Sequence, residues 1–196
     1  MAHYFAIGAV STALQGVLMD ARGGEIGNPA IEIIQVSDIA RERPAEMGIS
    51  ILLYRTVVSP LPRTLTGRTP PGGRPRIPPL PVDLYYAFAP WAKTALAEHR
   101  LLGWLMRTLE DSNTLNSGQL NAYSGAPGLF AADETVTLIP DSLSLQDLSY
   151  LWELLKANPR VCVGYVARVV HLESFVEQPT GERVQVRDLD LARVTS

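Results

Sequence analysis

The chain has one cysteine, two lysines and three histidines among 196 residues, and each scarcity closes off a kind of chemistry. Cys162 alone cannot form an intrachain disulfide. It sits in an apolar, strand-like run, where a buried and inert thiol is expected. His3, His99 and His171 fall on separate segments, with no partner at metal-ligand spacing. His99, beside Glu98, is expected to pack or cap locally and not to act in catalysis. No stretch approaches the roughly 18 unbroken apolar residues of a membrane-spanning helix. The N-terminal region has no Lys or Arg before Arg22, and Ser11, Thr12 and Gln15 interrupt its apolar residues. A signal peptide is therefore not expected, and synthesis and folding in the cytoplasm are.

Catalytic patterns are missing as well. Gly72-Gly73 is followed by Arg74-Pro75, where a phosphate loop needs Gly-Lys-Ser/Thr. Ser124 precedes Gly125 but lacks the glycine two residues earlier that a nucleophile elbow requires. The acidic residues are scattered and form no paired-carboxylate site. No catalytic residue, cofactor site or metal site is assigned, and an enzyme is not expected. Trp91, Trp104 and Trp152 could serve as ligand platforms, but packing in a core or interface is the ordinary use of such rings.

What is present is a chain able to fold. Hydrophobic residues make up 46%, enough for a sizeable core, against 19% charged. The net charge of −3 carries no overall bias towards nucleic acid or anionic membrane. Of the 17 basic residues only Lys93 and Lys156 are lysine. That skew has two readings. One is genomic codon composition; the other is a surface built for protein contacts, where the planar arginine fork pairs with carboxylates and stacks on aromatics.

The apolar periodicity divides the chain into segments. Tyr4, Ile7, Val10, Leu14, Val17 and Leu18 predict an amphipathic helix over 3–21, closed by Gly23-Gly24 at positive φ. Residues 31–36 and 49–58 read as strands, the second buried on both faces except around Arg55 and Thr56. Residues 82–89 form another strand, with Val82, Leu84, Tyr86 and Phe88 on one face and Asp83 and Tyr85 on the other. A helix over 93–110 buries Leu102, Leu105, Met106 and Leu109, joined by Leu101. Residues 111–133, rich in Asn, Ser and Gly, read as loop. A strand at 135–139 precedes a third helix, capped by Ser144 with Asp147 three residues on. Leu145, Leu148, Leu151, Trp152 and Leu155 follow at helical spacing, and Asn158-Pro159 stops it. Residues 160–172 make a long strand, and 183–191 a weak last one. The expected class is α+β (mixed α/β): a mixed sheet flanked by about three helices. The expected domain spans 1–175, with a tail at 176–196.

Residues 59–81 differ in kind. Eight of these 23 residues are proline, four are arginine and none is acidic. Proline has no donor for a ladder, so an extended arm is expected. Its length exceeds ordinary connections. Arg63, Arg68, Arg74 and Arg76 are the candidate interface residues, seeking carboxylates on another subunit. Phosphate contact is the alternative, making the chain a peptide- or nucleic-acid-binding module. Yet no aromatic is interleaved to stack bases, and a solvated or protein-bound arm is expected.

The order of segments carries a resemblance. HYFAIGAVSTALQGVL is followed by ILLYRTVVSP, the proline-rich loop and PPLPVDLYY; then come AEHRLLGWLMR, SLSLQDLSYLWELL and RVCVGYVARVVHLES. Together and in this order, over about residues 3–175, they resemble the cap family of extracellular contractile injection systems, of the antifeeding-prophage and virulence-cassette type. The resemblance implies a fold like phage tail terminators. It implies a structural cap that closes the distal end of sheath and inner tube, stops polymerisation and anchors the last sheath ring. The implied partners are further copies in a hexameric ring and the terminal sheath and tube subunits, without nucleic acid or membrane insertion. The implied location is the cytoplasm at assembly and the outside of the cell in released particles. Some relatives carry a further C-terminal domain, and this chain resembles the compact form.

Overall fold

Six strands form one mixed sheet in the computed structural model, which describes residues 3–38, 45–60, 69, 72–154 and 160–178. In chain order the elements are α1 (Ala6–Asp20), β1 (Ala30–Ile34), β2 (Gly48–Val58), β3 (Leu80–Trp91), α2 (Ala95–Asp111), β4 (Thr114–Asn116), α3 (Ser117–Ser124), β5 (Thr135–Asp141), α4 (Leu145–Leu154) and β6 (Val163–Leu172). The sheet order is β1-β2-β3-β6-β5-β4, with β1 and β2 parallel and every other pair antiparallel. The mixed α/β class expected from the sequence is the class observed.

Alternation along the strands sorts side chains between two faces. Ile49 and Ile51 of β2, Val82, Leu84, Tyr86 and Phe88 of β3, and Tyr165, Ala167 and Val170 of β6 are buried in one cluster. The same cluster takes Val10, Leu14, Val17 and Leu18 of α1 and Leu101, Leu105 and Leu109 of α2. Here α1, α2 and α3 cover the sheet. Inside this layer Ser11 Oγ lies 2.8 Å from the Tyr86 hydroxyl, so that buried phenol has a partner. The opposite face holds a smaller cluster, Leu52 and Trp152, with Ile34, Tyr54, Ala89 and Cys162 packed against it. This places α4 on that face. Trp91 and Trp152 are buried and Trp104 packs on the main core, so all three indoles serve packing.

Several expectations need correction. In α2 the buried stripe is Leu101, Leu105 and Leu109; Met106 is 44% exposed, and Leu102 only half-buried. The buried row runs at i, i+4 from Leu101, and Leu102, about 100° further round the helix, lies at its border. Tyr4 stands before α1 and is exposed, and Leu145 at the start of α4 is exposed too. His99 is exposed on α2; the cap of that helix is Thr94, whose Oγ1 accepts from Ala97 N at 3.3 Å. The stretch read as a loop contains β4 and α3. Its Asn, Ser and Gly residues are the capping set of a short helix. Asn116 Oδ1 accepts from Gln119 N at 3.0 Å while Gln119 Oε1 accepts from Asn116 N at 3.1 Å. Gly125 ends the helix at φ 65°. There are thus four α-helices among the described residues, not three. The proposed stop at Asn158-Pro159 and the strand at 183–191 lie outside the described residues.

Other readings agree with the structure. Gly23 and Gly24 follow α1 at φ 127° and 55°. Ser144 caps α4 reciprocally: its Oγ accepts from Asp147 N at 3.1 Å, and Asp147 Oδ2 accepts from Ser144 N at 3.3 Å. Among the described residues no helix is long and apolar enough to cross a membrane.

Candidate functional site

Three surfaces stand out, and none has the form of a catalytic centre. Among the described residues no three His, Cys, Asp or Glu side chains gather as a metal site would require. Cys162 is half-buried, and burial pushes its thiol up to about 11. It is therefore held as the neutral, unreactive form.

The first surface lies where β3 begins and β6 ends. Pro75 O accepts from Gln178 N at 2.7 Å, and Ile77 N donates to Val176 O at 2.9 Å. Arg76 and Glu177 face each other in the same antiparallel bridge. The C-terminal end of the proline-rich arm thus extends the β3–β6 pairing. The prolines predict an arm with no ladder of its own; a short one forms here because Ile77, between Arg76 and Pro78, keeps its N–H. Beside it sits an exposed group of rings. His3 and Phe175 have centroids 5.1 Å apart, Tyr4 and Phe5 are at 4.4 Å, and the Arg76 guanidinium lies 5.6 Å from the centre of Phe175. Tyr4 is 69% and Phe175 59% exposed, joined by Val176. A groove of about 450 Å³ runs alongside, lined by Ile77, Pro78, Pro79, Leu80, Leu172 and Ser174.

Of the four candidate arginines, Arg74 is exposed and Arg76 half-buried at this surface. Arg63 and Arg68 lie outside the described residues. The sequence pointed to the arginines but not to the rings around them, because His3, Tyr4 and Phe5 were assigned to a helix and Phe175 to the end of the domain. Consecutive aromatics just before a helix start were the available signal.

The second surface is the open part of the α4 side of the sheet. Asp83 is 1% exposed and accepts from Arg168 Nε at 3.1 Å. Its other oxygen, Oδ1, has no hydrogen-bond partner. Arg55 sits 5.1 Å over the Tyr85 ring, its neighbour in the β2–β3 register. Tyr54 donates to Asp141, and burial, then that carboxylate, raises its phenol above the ordinary range. The sequence placed Asp83 and Tyr85 on this face but did not find Arg168 opposite. The signal was a single arginine inside an otherwise apolar strand.

The third surface is the outer edge of β1. Ala30 N donates to Met47 O, so its polar groups face β2, and those of Ile31 and Ile33 point away. Ile31 O is covered by Gln15 Nε2 at 2.7 Å. Ile33, exposed, carries the main-chain groups left at that edge. The other edge, β4, has only three residues.

These surfaces suit contact with other protein chains. The chain aligns over 97% of its length with a solved sheath/tube terminator of the PVC extracellular contractile injection system in its extended state, at TM-score 0.61 and 16% identity. It aligns over 92% with the tube-terminating cap of the anti-feeding prophage, at TM-score 0.58 and 15% identity. It spans 64% and 60% of those two chains. At such identities the likeness is one of fold. No curated protein matches it. The Pvc16 N-terminal domain family matches residues 9–186, nearly the whole sequence, and the chain belongs to that family.

Proposed function

We propose that the chain is a terminator cap of a contractile injection particle, closing the distal end of sheath and inner tube. The observation that supports this reading is the likeness to two terminators over 97% and 92% of this chain, together with the family assignment. A sixfold polymer offers each new ring a repeating face. A subunit ring that fits that face and presents a different one outward stops growth. In this reading the copies form a hexameric ring through heterologous contacts that close on themselves.

The edge of β1 suits the anchoring role. An exposed strand edge accepts an added strand through main-chain hydrogen bonds, and a terminal arm of a sheath subunit is such a strand. Binding by area and shape needs no reacting group, so the role is structural and not enzymatic. The partners are sheath and tube subunits, with no nucleic acid and no lipid insertion. Assembly takes place in the cytoplasm, and released particles carry the cap outside the cell.

The test is to locate the chain. Particles bearing an epitope-tagged copy, labelled with gold-conjugated antibody, should carry gold at one end only, opposite the baseplate. Gold along the shaft or at the baseplate would refute the reading.

A further inference from the structure

A cap ring needs two unlike contact surfaces on each copy, and the fold carries a pair with complementary character. The first is the exposed ring cluster at the start of β3, with Tyr4, Phe5, Phe175 and Val176 flanked by Arg74 and Arg76. One acid, Glu177, shares that surface with the two arginines.

The second surface is the outward side of α4. Tyr150 is 60% exposed, and Asp147 and Glu153, each about 60° from it around the helix, flank it. No basic residue occurs within α4. Among the described residues, Arg160 follows α4 and lines a small cavity beside Trp152. A Tyr and two acids on one helix face match rings and arginines on the other surface in both polarity and charge.

The two surfaces lie at opposite ends of the sheet. Leu80 opens β3 at the ring cluster, and Ala89 near its far end touches the cluster beneath α4. Nine strand residues separate them, about 30 Å. A twofold axis would pair both surfaces with the same second copy; the ring that the terminator reading requires joins copies head to tail, each surface meeting a different neighbour.

We propose that the ring cluster of Tyr4, Phe5 and Phe175 receives α4 of a second copy of this chain. Tyr150 then seats on the rings, and Asp147 and Glu153 lie opposite Arg74 and Arg76. The inference rests on the terminator reading for its requirement of a ring.

The test uses purified particles from cells whose only copy of the chain carries Phe175→Cys and Tyr150→Cys in a Cys162→Ala background. A short bismaleimide should then produce a ladder of linked copies on a denaturing gel. Either cysteine alone should give none. A dimer from F175C alone would mean a twofold contact and overturn the proposal. So would the absence of a ladder when the chain is present in the particles. If even the wild-type chain is absent from particles, the terminator reading itself fails. Should the double-cysteine chain not enter particles, charge exchange replaces it. R74E and E153R should each lower incorporation, and together they should restore it. A double variant no better than the singles would overturn the contact.

Discussion

The hydroxyl of Tyr54 donates a 3.1 Å hydrogen bond to Asp141 Oδ2, tying β2 to β5 across the two strands that separate them. Three strand spacings in a flat sheet amount to about 14 Å, more than these two side chains bridge. The sheet therefore curls towards the α4 side, and this bond is one fastening of the curl. Tyr54→Phe keeps the ring and its edge contact with Tyr85 but removes the bond. It should lower unfolding free energy by about 0.5–1.5 kcal/mol. Urea denaturation should show a lower midpoint with an unchanged slope. An unchanged midpoint would mean that the curl does not depend on this tie.

A second prediction concerns the helix layer. A Cβ on Gly16 would stand 2.2 Å from Tyr123 Cδ1, so α1 and α3 meet where α1 has no side chain. The Tyr123 hydroxyl also donates to Asp20 Oδ2 at 2.6 Å. Gly16→Ala should destabilise by about 1–3 kcal/mol through overpacking, despite alanine's better helix propensity. Adding Tyr123→Ala should remove most of that penalty. Thermal melts of the two singles and the double test the coupling, and strictly additive losses would contradict it.

How far the sequence revealed this layout depended on the range of each signal. The strands at 49–58, 82–89 and 160–172 were legible because they are long and rich in β-branched and aromatic residues. The helix Ser117–Ser124 was not, because Leu120 is its only buried residue and its ends are set by the polar caps Asn116 and Gly125. Polar capping residues look like loop when no apolar stripe accompanies them. Tertiary pairs were invisible in the same way. Nothing local tells Arg168 that Asp83 lies opposite, or His3 that Phe175 is near. The arginines at 74 and 76 were legible as interface candidates from composition alone, while the rings that surround them are brought there by the fold.

Alkaline pH should weaken the fold. Burial holds the Cys162 thiol up at about 11, from 9.0, and raises the phenols of Tyr54 and Tyr86 above their ordinary 10.0. In the unfolded chain these groups release their protons first. Their contribution is complete below about pH 9 and is lost as pH rises, between 9 and 11 for the thiol and from 10 upward for the phenols. The melting temperature should fall steadily from pH 8.5 to 11. Cys162→Ala should remove the earliest part of the fall. A flat profile over that range would contradict the assigned causes.

The edge of β1 provides a prediction that separates folding from attachment. Ile33 points its N–H away from β2, so proline at this position removes no bond of the sheet. Ile33→Pro should melt within a few degrees of wild type. It should still lose attachment to sheath if strand addition occurs there, seen as sheath that contracts or sheds its last ring during purification. Stable sheath on I33P particles would place the anchor elsewhere.

The central claim is that this chain stops growth at the particle end, and particle length measures it directly. Negative-stain electron microscopy of particles from a strain lacking the chain, beside the same strain complemented with it, gives the two length distributions. The account predicts broad, unstable or absent sheath and tube polymers without the chain, and a narrow distribution on complementation. Normal particles of the usual length in the deletion strain would contradict it.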